Sequence, residues 1–217
     1  MSQGSHDPGD HMTISSPTAG RSRRNWWPLL RAAAVAAAVL VPATGWCQVG
    51  RKGTAVGYLG ALRVGQWIQL EGTLRPGAPA WCTEVRRLAG DFLDDDWFIK
   101  GRVESLDPVT QTFAIAGCRI QATAGTIYDN PRGTFRGFSD VRAGMLVEAE
   151  GTFLQTRRLL AAEVDDESDE VARDPHLLRK IEVVGRVERV DPRRRTVRVM
   201  GIEFQVHDRT KLRSVIE

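Results

Sequence analysis

WFIKGRVESLDPVTQTFAIAGCRIQATAGT, residues 97–126, recurs without a gap as IEVVGRVERVDPRRRTVRVMGIEFQVHDRT, residues 181–210. Gly101, Val103, Asp107, Pro108, Thr112, Gly117 and Thr126 fall on Gly185, Val187, Asp191, Pro192, Thr196, Gly201 and Thr210, always 84 residues on. Apolar positions agree as well: Phe113, Ile115, Cys118 and Ile120 meet Val197, Val199, Ile202 and Phe204. A second recurrence runs the other way, with Gly144, Gly151 and Val164 matching Gly65, Gly72 and Val85 at an offset of 79. Self-similarity at a fixed spacing marks one supersecondary unit used more than once. After a leader at 1–45, the chain reads as a half-module (46–96), a whole module (97–166), an acidic linker (167–180) and a second half-module (181–217).

The repeated unit is made of strands. Trp97 to Leu106 alternates, with Ile99, Gly101 and Val103 on one face. Asp107-Pro108 opens a turn. Thr112–Ala116 and Cys118–Ala122 flank Ala116-Gly117, and a two-residue turn there makes Ile115 and Cys118 cross-strand partners. A long connection, 125–144, leads to a closing hairpin of Leu146–Phe153 and Leu159–Asp165. The N-terminal half repeats that hairpin in Gln66–Leu74 and Trp81–Leu88. The C-terminal half repeats the first three strands in Ile181–Val190, Thr196–Val199 and Ile202–Val206. Val49–Leu62 is Gly-rich and weakly patterned, and a short helix suits 175–180. The acidic run DDESDE at 165–170 lacks the glycine and ligand spacing of a calcium loop and is expected to be a solvated linker.

Three strands, a long connection and two more strands give an all-β fold of small OB-like barrels. An isolated half would expose a sheet edge and an apolar face. The two halves are therefore expected to complete each other as a second barrel built from discontinuous chain. The alternatives are that each half augments the central sheet, or swaps between chains. Gly101, Gly185, Gly72 and Gly151 would face inward, where they permit the sharp coiling of a small barrel.

Gly101-x-Val103-x-x-x-Asp107, then Thr112, Gly117 and Thr126, then Asp140-x-x-x-Gly144-x-x-Val147-x-x-x-Gly151, then Ala161-x-x-Val164, resemble family 5666 of bacterial domains of unknown function. The resemblance covers the central 70 or so residues well and the flanking halves in part. It implies a small β-barrel domain, often in tandem, in exported proteins. It brings no catalytic residues to carry over.

The leader points to export. Arg21, Arg23 and Arg24 precede an apolar core, Ala32–Ala43, too short to span a bilayer comfortably. Cuts before Thr44 or before Trp46 both have small residues in place. Ser22-Arg23-Arg24-Asn25-Trp26-Trp27 resembles a twin-arginine signal, and a Sec signal is the other route. Met12 is a second candidate initiator. An uncleaved anchor and a lipoprotein at Cys47 are less favoured readings, the latter because Trp46 stands where a lipobox needs a small residue. Four of the 30 basic and two of the 27 acidic residues lie in the leader, leaving 26 against 25. That near balance and the expected compartment argue against a nucleic-acid partner.

Little points to catalysis. Past the leader only His176 and His207 remain, with no motif around either. No glycine-rich phosphate loop and no zinc spacing occur, so no cofactor or metal is expected. Cys118 lies on the core face, whereas alternation puts Cys82 outside, so Cys47 and Cys82 form the expected disulfide. An enzyme or redox role would require an exposed, thiolate-like Cys82.

Two sets of residues could hold a ligand. The connection Thr126–Asp140 carries Tyr128, Arg132, Phe135, Arg136 and Phe138, which could stack on or pair with an anionic or planar ligand. The blander reading, that Phe135 and Phe138 plug the barrel end, is favoured. Strand-connecting loops hold Arg157 and Arg158, and separately Arg193, Arg194 and Arg195. They would suit an anionic glycan, an acidic protein surface or, against the compartment, single-stranded nucleic acid. The expected role is a non-catalytic binding or scaffold module of the cell envelope. Its partner would be another envelope protein or a glycan; the sequence leaves its oligomeric state open.

Overall fold

The computed structural model describes residues 55–89, 92–93, 95–154 and 157–216. All lie in one compact unit, 49–217. Residues 1–45, read as a leader, the cuts expected there and Cys47 fall outside the described residues. Among the described residues thirteen strands form one connected sheet that is not closed as a whole: β1 (Trp67–Arg75), β2 (Ala78–Leu88), β3 (Trp97–Arg102), β4 (Ser105–Asp107), β5 (Thr112–Ile115), β6 (Cys118–Gln121), β7 (Ile127–Asp129), β8 (Leu146–Leu154), β9 (Arg158–Asp166), β10 (Lys180–Asp191), β11 (Thr196–Val199), β12 (Ile202–Gln205) and β13 (Lys211–Ile216). Short helices α1 (Ala55–Ala61) and α2 (Ser168–Arg173) and 3-10 turns at Phe138–Asp140 and Pro175–Arg179 complete it.

Within the sheet the pairings run in two rings. β1 pairs with β2, β2 with β12, β12 with β11, β11 with β10, and β10 with β1 again. The N-terminal hairpin thus supplies two strands of that ring and the C-terminal stretch three. In the other ring β3 pairs with β8, β8 with β9, β9 with β6, β6 with β5, and β5 with β4. β3 and β4 are one run interrupted only by Val103 and Glu104, and Glu104 N donates to Ala114 O at 2.8 Å. Strands with a partner on both sides leave few open edges to attract other chains. Alternate residues fill each interior: Ile99, Ile115, Ile120 and Leu159 in one, Ile68, Leu70, Val183 and Phe204 in the other, all fully buried. Trp81 of β2 also stacks on His207, just past β12, with ring centroids 4.2 Å apart.

The rings meet along β3 and β10, whose register pairs Ile99 with Val183, positions 84 apart in sequence. The two strands that the repeat makes equivalent are therefore neighbours, running antiparallel about the Ile99–Val183 pair. Gly101 lies opposite Ile181, and a Cβ on it would come within 2.6 Å of Ile115 and 3.1 Å of Ile181. A Cβ on Gly185 would come within 2.6 Å of the Trp97 ring and 2.9 Å of Val199. Each glycine makes room for a residue at the start of the other ring's strand.

Two expectations need correction. Cys82 is fully buried, not outside. Glu71 faces Glu84 while Gly72 faces Cys82, so Thr83 is an extra residue and the bulge reverses the alternation beyond it. β9 carries the same bulge, with Ala162 extra between the partners of Glu150 and Gly151. Next, the acidic run is no solvated linker. Asp166 ends β9, α2 begins at Ser168, and buried Glu167 and its neighbour Glu170 bond Lys100 Nζ at 3.2 and 2.7 Å. The weakly patterned 49–62, for which the sequence carries no expectation, contains α1, which seats Leu59 in the core.

Candidate functional site

The β5–β6 hairpin sets up the outer face of the continuous ring. Ala116 (φ 48°) and Gly117 (φ 70°) form its two-residue turn, and Ile115 pairs with Cys118. That register turns Phe113, Ile115, Cys118 and Ile120 inward. Thr112, Ala114, Arg119 and Gln121 therefore point out. Across the strands they form two rows: Ser105, Ala114, Arg119 and Arg158, then Asp107, Thr112, Gln121 and Leu160.

All of these but Arg158 and Leu160 floor a cavity of about 380 Å³, lined by Ser105, Asp107, Thr110, Thr112, Ala114, Arg119 and Gln121, with Leu106 and Phe113 beneath. Asp107 fixes its rim. Its Oδ1 accepts from Val109 N at 3.0 Å, and its Oδ2 accepts from Thr110 Oγ1 at 2.7 Å. The Thr110 hydroxyl foremost, then main-chain N–H groups and the Arg119 charge, hold the Asp107 carboxyl below its ordinary range. Gln121 Nε2 donates to Thr110 O at 2.7 Å and pins the loop from the other side.

A second cavity, about 360 Å³, adjoins the first and is lined by Gly117, Arg119, Arg157 and Arg158. Arg119 lines both. Arg119 and Arg158 lie directly opposite each other in the parallel β6–β9 ladder. Arg157 Nη2 donates to Ala116 O at 3.1 Å, while its aliphatic stem lies against Gly201 of the other ring. Among the described residues none of these three guanidinium groups forms an ion pair.

The remaining ligand candidates are committed elsewhere. Phe135 is buried, with Tyr128 edge-on at 5.6 Å, and half-buried Phe138 packs near Phe113 at 6.4 Å. Burial raises the Tyr128 hydroxyl above its ordinary value. Arg132 pairs with Asp169 at 2.8 Å, and Arg136 Nε donates to Gly133 O at 3.0 Å. Phe135 is thus part of the core, with Tyr128 and Phe138 half-buried against it. Arg193, Arg194 and Arg195 lie in a different ring from Arg157 and Arg158, at the far end of β11 from the Met200-Gly201 turn that Arg157 touches. Asp191 Oδ1 accepts from Arg193 N and Arg194 N at 3.0 and 2.9 Å, and Arg195 pairs with Asp208 at 3.2 Å. The structure does not bring the two arginine groups together.

Among the described residues Cys82 and Cys118 form no disulfide; both are buried, and burial pushes both thiols up to about 12. The pairing of Cys82 with Cys47 lies outside what the described residues can address.

Sequence reasoning missed Arg119, Thr110, Thr112 and Gln121. The signal was present in the repeat itself. At Arg119's position the other ring has Glu203, which bonds Arg189 at 2.9 Å and Thr196 at 3.0 Å, and opposite it Pro79 replaces Arg158. The row that neutralises itself in one ring is left basic in the other. No curated protein and no solved structure matches the chain. The stretch that carries both cavities, residues 100–165, matches the model of a family described as a domain of unknown function (DUF5666).

Proposed function

We propose that this chain is an exported, non-catalytic binding protein of the bacterial envelope, made of two OB-like modules, and that it takes a glycan on the outer face of β4, β5 and β6. One observation carries the reading: the cavity of about 380 Å³ lined by hydroxyl, amide, carboxylate and guanidinium groups on a rigid sheet. Such a mixture of donors and acceptors suits a polyhydroxylated ligand, and rigid strands hold it at little entropic cost. The strand order supports the OB-like description, whose outer sheet face and flanking loops are a common ligand site. The basic and apolar leader supports export. Two thiols held near 12 give little thiolate at neutral pH, which supports a non-catalytic role for them.

The test is binding of soluble envelope oligosaccharides to the immobilised mature chain. Thr112→Trp should fill the cavity and abolish retention of whichever sugar binds, whereas Arg193→Ala should leave it unchanged. Equal retention by the Thr112→Trp chain would overturn the reading. Retention of a protein partner that Thr112→Trp leaves intact would favour a scaffold role instead.

A further inference from the structure

We propose that the cavity between Arg119, Arg157 and Arg158 is a subsite for an oxyanion, a carboxylate or phosphate substituent on an acidic glycan lying on the adjoining face. The inference rests on the glycan reading above and narrows it to acidic polymers. Arg119 and Arg158 stand directly opposite each other across a ladder. Like charges so placed are destabilising, and here no described acidic side chain pairs with either. The carboxylates nearby are engaged with other groups: Asp107 with Thr110 and the turn amides, Glu104 with Gly117 N at 3.0 Å, and Glu188 with Gly201 N at 2.9 Å. An incoming oxyanion supplies the missing counter-charge, and guanidinium groups recognise it by paired N–H donation.

Arg157 is also held in place for this task. Its stem rests on Gly201, where any Cβ would collide with it, and its Nη2 is anchored on Ala116 O. The third charge of the cavity is thus oriented by turns from both rings. Because Arg119 belongs to both cavities, a chain lying along Thr112 and Gln121 would deliver its substituent to the arginines. The other ring has the same strands but pairs Glu203 with Arg189 at the corresponding place, so the basic site is specific to one ring.

The experiment uses the full mature chain and three probes: a galacturonate hexamer, its methyl ester, and a twelve-residue oligothymidylate. The free acid should bind at least tenfold more tightly than the ester at low salt. Arg157→Gln and Arg158→Gln, both at exposed positions that line only the second cavity, should erase that ratio while leaving ester binding unchanged. The free acid and inorganic phosphate should also protect Arg119 and Arg158 from phenylglyoxal. An unchanged acid-to-ester ratio in these variants, or no protection, overturns the oxyanion subsite and leaves the glycan reading standing. Arginine-dependent binding of the acid without any binding of the ester overturns the extended glycan face but supports the subsite. Tighter binding of the oligothymidylate than of the acid overturns the assignment to a glycan.

Discussion

Glu182 stands in a row of charges that crosses the join of the two rings. Glu71 faces it across β10 and β1, Lys100 faces it across β10 and β3, and Glu84 lies beyond Glu71 on β2. Burial, reinforced by the Glu71 charge, raises its carboxyl to about 7, although the Gln69 amide bonds it and Lys100 and Arg86 oppose the rise. Burial and the Glu84 charge raise Glu71 as well. A carboxyl raised in the folded chain binds its proton more tightly there than when unfolded. Stability is therefore greatest near and below the ordinary value of 4.5, falls as pH climbs toward 7, and levels off above it. The expected loss between pH 5 and pH 8 is on the order of 2 kcal/mol. Urea unfolding at the two pH values should show it, and Glu182→Gln should flatten the dependence. A wild-type chain with no such slope would contradict the placement of these carboxylates. At this scale the sequence was readable where alternation is regular, as at Cys118. It misled at Cys82, because a bulge set by Gly72 is invisible to a period of two.

At the scale of elements, hairpins were the most legible part. The Ala116-Gly117 turn and the pairing of Ile115 with Cys118 follow from the spacing of apolar residues. Inward glycines follow from it too, and the structure adds what each makes room for. Gly185→Ala should push a methyl into the Trp97 ring and Val199, costing about 1–3 kcal/mol by overpacking. Thermal melting of that variant checks it; a cost near zero would mean that β3 and β10 do not approach as described. The segment after β9 was not legible. Its helix and its bonds to Lys100 depend on a residue about 70 positions earlier, which no local pattern encodes. Aromatic and arginine content alone made the 126–140 connection look like a ligand site. Burial of Phe135 removes that ring from such a site, because a ring packed in the core offers no face to a ligand.

Across the whole molecule, offsets of 84 and 79 told which strands are equivalent, though not which are adjacent. Equivalence alone left open whether the N-terminal hairpin joins the C-terminal strands or the central module. The structure pairs β1 with β10 over seven positions, from Trp67 with Arg186 to Thr73 with Lys180, and sets β2 beside β12 and β13. Sharing of β3 and β10 between the rings could not be read from the repeat, since it depends on side chains of one copy fitting the glycines of the other. The basic cavity likewise emerges only when the two copies are compared position by position in space. The account turns on the ring assembled from both ends of the chain. Amide hydrogen exchange on a chain lacking residues 1–89, compared with the full chain, tests it most directly. β10, β11 and β12 should lose their protection while β5 and β6 keep theirs; undiminished protection in β11 and β12 would contradict it.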